Sequence, residues 1–168
     1  MNLVLARIDD RFIHGQVTVG WGQRLQPDLI LLANDEIAAD PWQARVYAAT
    51  VPPQVTVSVR GLGAAAAALR DPAAALPGHE RAILLTGSPA DMHALVAFGV
   101  ALDRVNVGGM HFQAGKLEML PGLYVDRDDL ANFRTLLRRG VRLAVQAVPG
   151  GREVLVDDGL LAAVEARL

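Results

Sequence analysis

The stretch Leu3–Val17, L-V-L-A-R-I-D-D-R-F-I-H-G-Q-V, decides how the chain is read. Leu3–Ala6 is a short unbroken apolar run, the pattern of a strand covered on both faces of a parallel sheet. Two acids and two arginines follow, and a single histidine stands directly before Gly15 and the apolar spacing of a helix. A phosphoryl group carried on His14 at such a strand-to-helix junction would meet helix-start N–H groups and a favourable helix dipole. Arg11, three residues away, offers a planar fork that matches a phosphate. The same residues also read as a solvated turn before an ordinary helix, and local pattern alone does not choose between the two.

Working outward, Gly15–Leu25 carries Val17, Val19, Trp21 and Leu25 at helical intervals, interrupted by Gly20 and Gly22, each costing about 1 kcal/mol against alanine. Leu29–Ala33 reads as a second buried strand, with Asn34, Asp35 and Glu36 as the turn into a helix. Asp40 and Pro41 then read as an N-cap and first helical residue, with Trp42, Val46 and Ala49 on one packed face. Val55, Val57 and Val59 alternate with Thr56 and Ser58 as a half-buried strand near a sheet edge, and Gly61–His79 reads as one short alanine-rich helix and a loop. Ala82–Leu85 is a fourth strand, after which Ser88, Pro89 and Asp91 launch a helix with Met92, Leu95 and Val96 inward.

Arg104–Gly109, R-V-N-V-G-G, is a strand running into two glycines, which let backbone approach a neighbour or a phosphate and would flank the reactive loop. Residues 113–125 read as a turn and short strands that finish the sheet. Asp126 and Asp129 cap a helix carrying Leu130, Phe133, Leu136 and Leu137, closed by Gly140. Val141–Val148 is a last strand, and Leu160, Leu161, Val164 and Leu168 stripe a closing helix. This alternation predicts an α/β fold: an open, mainly parallel, twisted sheet with helices on both faces, in a single domain over residues 1–168.

Composition narrows the function. At 168 residues, with 52% hydrophobic and 20% charged residues, the chain can bury one sizeable core. A net charge of −2 gives no basic footprint for nucleic acid or an anionic membrane. The absence of cysteine excludes disulfides and thiolate metal sites. Neither an H-x-x-x-H pair nor a G-x-G-x-x-G fingerprint occurs, so no metal and no cofactor is expected; His79 and His93 read as surface or structural residues, and His111 as a neighbour of the His14 pocket without a part in the chemistry. The amino terminus meets acids too soon for a signal peptide, and no uncharged run approaches a membrane span, which predicts a cytoplasmic protein.

The string R-I-D-D-R-F-I-H-G-Q-V, together with N-V-G-G-M-H-F at 106–112, resembles the IIB component of the mannose/fructose/sorbose class of the bacterial phosphoenolpyruvate-dependent sugar phosphotransferase system. The resemblance runs from Met1 to the final helix. It implies a seven-stranded sheet and a phosphotransferase role in which His14 becomes phosphohistidine and Arg11 binds the phosphate. It also implies partners: a IIA phosphocarrier as donor, membrane IIC and IID components, and a sugar as final acceptor. Asp9, Asp10, Gly15, Gln16, Gly108 and Gly109 are the supporting residues around that histidine. Because Asp9 and Asp10 would repel a phosphate they faced, they are expected to hold loop amides or pair with Arg7 or Arg11. Two other readings stay open: a regulatory phosphorelay or sensory domain that moves no sugar, and a phosphate-metabolite-binding α/β module.

Overall fold

The computed structural model describes Met1–Leu168. Its first strand, β1 (Asn2–Ile8), runs two residues past the apolar stretch, because Arg7 and Ile8 pair in parallel with Asn106 and Val107. After the loop that follows, the chain makes a π-helical turn, Gln16–Trp21, continued by α1 (Gly22–Leu25). The Gly22 N–H donates to the Val17 carbonyl, and a Cβ on Gly22 would lie 3.1 Å from that oxygen, so glycine suits this wide turn. Even helical spacing placed Val19 inward with Val17 and Trp21; the wide turn buries Val17 and Trp21 and leaves Val19 58% exposed.

The remaining elements are β2 (Leu29–Ala33), α2 (Asp35–Ala38), α3 (Pro41–Ala48), β3 (Thr56–Arg60), α4 (Leu62–Arg70), α5 (Pro72–Ala75), β4 (Arg81–Thr86), α6 (Pro89–Ala97), β5 (Arg104–Val107), β6 (Leu117–Leu120), β7 (Leu123–Val125), α7 (Arg127–Arg138), β8 (Arg142–Val145), β9 (Val154–Val156) and α8 (Asp158–Glu165). The main sheet has seven strands in the order β3-β2-β4-β1-β5-β8-β9. Every pairing in it is parallel except β8 with β9.

Alternation along the central strands separates two cores, because successive side chains point to opposite faces. Leu29, Leu31 and Ala33 of β2, with Ala82 and Leu84 of β4, join the larger core with α4, α6, α7 and α8. Ile30, Leu32, Ile83 and Leu85 face the smaller one with Phe12, Ile13, Val17, Trp21 and Ile37. Each fully buried leucine or isoleucine among these contributes about 1.5–3 kcal/mol. The helix starts follow local chemistry: Asn34, Asp40, Ser88 and Asp157 each accept an N-terminal amide, and Asp126 with Asp129 forms a reciprocal capping box. Such caps stabilise by about 1 kcal/mol each.

Four expectations need correction. The short strands within 113–125 do not finish the main sheet; β6 and β7 form a separate antiparallel hairpin. The last strand of the sheet is β9, three residues too short to stand out in sequence, and it returns antiparallel after a turn in which Gly151 N–H bonds the Val148 carbonyl. Gly61–His79 contains two helices, α4 and α5, because Asp71 and Pro72 restart the helix after Arg70. Trp42 and Val46 are 68% and 46% exposed, since α3 lies over the edge strand with nothing beyond it.

Candidate functional site

The carboxyl end of β1 and its neighbour β5 bring together two loops, Asp9–Gly15 and Gly108–Phe112. Asp9 N–H donates to the Thr86 carbonyl at 2.8 Å and Asp10 N–H to the Gly109 carbonyl at 2.9 Å, which ties the first loop to both flanking strand ends. Phe12 takes a left-handed conformation (φ 56°), unusual for a residue with a side chain, and packs edge-on to Tyr47 at 5.9 Å between centroids. That anchored kink lies two residues before His14.

Asp9 is the hub. Its Oδ2 accepts from His14 Nε2 at 2.8 Å and from Arg7 Nη2 and Nε at 2.9 and 3.1 Å, while Oδ1 accepts the Arg11 amide at 3.1 Å. Both Arg7 and Asp9 side chains are fully buried, and His14 is 17% exposed. Burial works against the Asp9 charge, but the hydrogen bond from His14 and the Arg7 charge outweigh it and hold the carboxyl below its ordinary range. Burial likewise draws Arg7 below its ordinary value against the opposing pull of Asp9.

An ionised Asp9 only accepts, so the hydrogen between it and His14 sits on Nε2 and the Nδ1 lone pair is left for chemistry. The same His14 carbonyl accepts the Val17 and Thr18 amides at 2.9 and 3.0 Å, so the first turn presents only the Gly15 and Gln16 N–H groups, which make no hydrogen bond within the chain. The helix start is thus narrower as an anion site than a regular helix of the same sequence would be. Arg11 is exposed and its guanidinium is unpaired.

The other sequence-selected residues fall around this hub. Asp10 turns away from His14 and grips His111, accepting its backbone N–H and Nδ1 at 2.6 Å each. Gln16 Oε1 accepts from Arg7 Nη2 at 3.1 Å. Gly108 and Gly109 abut the hub: a Cβ on Gly108 would collide with the Arg7 guanidinium, and one on Gly109 would lie 2.8 Å from Asp9 Oδ1. His79 stands 3.6 Å from Asp28, and His93 Nδ1 bonds Asn132 at 2.8 Å, both remote from the hub in sequence and partners.

Sequence reasoning gave Arg7 only a minor part, placed Asn106 in the glycine motif flanking the loop without a role of its own, and missed Gln146. Arg7 Nη1 donates to Asn106 Oδ1 and to the Gln146 carbonyl at 3.1 Å. The available signal was the R-x-D spacing, which puts Arg7 and Asp9 on one side of an extended chain. No group of three or more potential metal ligands occurs.

An open, mostly parallel sheet with a carboxylate-held, partly exposed histidine at its carboxyl edge defines the class of this α/β domain. The family model for the sorbose subfamily IIB component of the phosphotransferase system matches residues 3–166, and the chain belongs to that family. It is 37% identical over 88% of its length to the N-acetylgalactosamine-specific phosphotransferase enzyme IIB component 2 of Escherichia coli, covering 92% of that protein. Against the mannose-specific EIIAB component of Escherichia coli the identity is 38%, but the chain spans only 45% of that relative's length. In structure it is similar to the IIBSor domain of the sorbose permease from Klebsiella pneumoniae, with a TM-score of 0.86, 30% identity and coverage of 100% and 99% of the two chains. No helix is long and apolar enough to cross a membrane.

Proposed function

We propose that residues 1–168 act as a single phosphocarrier domain that accepts a phosphoryl group on His14 from a IIA phosphohistidine and passes it to a sugar, with membrane IIC and IID components as partners. The observation that carries this reading is the His14 Nε2–Asp9 bond of 2.8 Å, which leaves Nδ1 as the nucleophile. Nδ1 attacks phosphorus in line; the bond from phosphorus to the donor's ring nitrogen breaks as the bond to Nδ1 forms. His14 keeps its Nε2 hydrogen, no proton is released, and Asp9 stabilises the positive character the substituted ring acquires. Arg11 and the Gly15 and Gln16 amides meet the phosphoryl oxygens, whereas the Asp9 charge is answered by Arg7 and so repels them little.

Named relatives handle mannose, N-acetylgalactosamine and fructose, so a hexose or amino-hexose is the class of final acceptor. No feature of the fold favours the sensory or metabolite-binding readings. The test is to supply pre-phosphorylated IIA protein and locate the label by peptide mapping. One labile phosphate is expected on the His14 peptide, lost in His14→Ala; label on His79, His93 or His111 instead would overturn the assignment.

A further inference from the structure

We propose that Arg7 is a positioning residue for the transfer: by locking the Asp9 carboxylate against His14 Nε2, it confines the phosphoryl group to Nδ1. The inference rests on the reading of His14 as the phosphoryl acceptor and adds a residue that touches neither donor nor phosphate.

The geometry is specific. A buried guanidinium is tolerated only when its N–H groups are answered, and here the answers come both from the adjoining loop and from strands that meet Arg7 only in the fold. Nε and Nη2 reach Asp9, Nη2 also reaches Gln16 at the helix start, and Nη1 reaches Asn106 of β5 and the carbonyl of Gln146 just after β8. Asn106 Nδ2 in turn donates to that same Gln146 carbonyl at 3.0 Å, and Gln146 Nε2 to the Gly151 carbonyl at 3.0 Å. Gly108 supplies the space, since any Cβ there would occupy the guanidinium position.

The oxygen of Asp9 that Arg7 grips, Oδ2, is the one that receives His14 Nε2. A structural ion pair could have used either carboxylate oxygen. Sharing one oxygen fixes the direction of the bond to the imidazole and prevents Asp9 from swinging out to the exposed Arg11, where its charge would oppose the phosphate. A ring held this way offers one nitrogen; a ring released can turn and offer the other.

The experiment uses full-length protein with ¹⁵N-labelled histidine and pre-phosphorylated IIA donor, scoring single-turnover rate and, by ³¹P and ¹⁵N NMR, which ring nitrogen carries phosphorus. Wild type is expected to show Nδ1 alone. Arg7→Lys keeps the charge and loses the fork, so transfer should fall about ten- to a hundredfold, the scale of a small misplacement of reacting groups, and both isomers should appear. If that variant does not fold, Gln16→Leu, which deletes one guanidinium acceptor at the loop surface, gives the same readout. If Arg7 acts through Asp9, adding Arg7→Met to Asp9→Asn should change the rate by less than about twofold, because coupled residues do not add. A single isomer at wild-type rate in Arg7→Lys, or an Arg7→Met penalty undiminished in the Asp9→Asn background, overturns the proposal. Those outcomes still leave label on His14; absence of label on wild-type His14 defeats the phosphocarrier reading itself.

Discussion

Gly108 stands so close to Arg7 that a Cβ built on it falls within 3.0 Å of the guanidinium carbon, nearer than real side chains approach. Glycine at this position follows from a buried cation on the neighbouring strand, not from a tight turn. Gly108→Ala must therefore displace the guanidinium or spread β1 from β5, with an overpacking cost of about 1–3 kcal/mol. Urea denaturation should show the midpoint falling with the slope unchanged. An unaltered midpoint would mean that the strands separate freely at this point.

The pH dependence of stability should carry the signature of Asp9. A carboxylate whose pKa is depressed in the folded state adds stability that is complete above its unfolded value, about 3.9, and is lost as pH falls through the lower folded value. Asp9→Asn breaks a fully buried pair and should cost on the order of 3 kcal/mol at neutral pH. The gap between wild type and variant should then narrow below about pH 4, because only the wild type has this charge to lose. Denaturation curves from pH 7 down to pH 3 measure it; a gap that widens on acidification contradicts the assignment.

What could be read in the chain and what could not divides along sequence distance. Ser88 with Pro89 and Asp126 with Asp129 declare helix starts within four residues, and the structure has those helices. β2 and β4 declare themselves by unbroken apolar runs. The hub was legible only at its near end, where Arg7, Asp9, Arg11 and His14 lie within eight consecutive residues at the end of β1 and in the loop after it. Its far end comes from Asn106 and Gln146, 99 and 139 residues from Arg7, and nothing local marks those two polar residues as buried partners of a cation. Periodicity also misjudged α3, because apolar residues at helical spacing say that a helix has a face and not that anything covers it.

The two tryptophans offer a direct check on that point. Trp21 is 8% exposed and donates Nε1–H to the Ala147 carbonyl at 3.0 Å, whereas Trp42 is 68% exposed. Trp21→Ala should cost about 3–5 kcal/mol, the range for large aromatic deletions in a core. Trp42→Ala should stay within about 0.5 kcal/mol, as surface changes do. Thermal melts of the two variants side by side suffice, and similar losses in both would place α3 against a partner in solution.

Arg11 is the exposed cation of the loop, free of any carboxylate while Arg7 occupies Asp9. Arg11→Lys preserves the charge and removes the two-pronged geometry, so the rate of phosphoryl transfer from IIA should fall by roughly tenfold to a thousandfold with stability unchanged. Stopped-flow or quench measurements at a fixed donor concentration decide it. Wild-type rates in the lysine variant would reduce Arg11 to a solvated surface residue.

Delivery to sugar is the step this domain should be unable to complete alone. A phosphohistidine can pass its group to a hydroxyl only when the hydroxyl is brought in line and water is kept away. Around His14 the lining is a loop with Arg11 and Gly15 open to solvent, and a cavity of about 580 Å³ runs instead along β1, lined by Leu3, Leu5, Ala101 and Leu102 and reaching Asn106 and Gln146 but not His14. A sugar has no enclosed place near Nδ1. Phosphorylated protein mixed with free hexoses should therefore yield only slow hydrolysis, and sugar phosphate should form when membranes carrying matched IIC and IID components are added. Rapid sugar phosphate formation in solution without membranes would show that the loop closes over its acceptor unaided; failure with matched membranes would move the chain from transport to phosphorelay signalling.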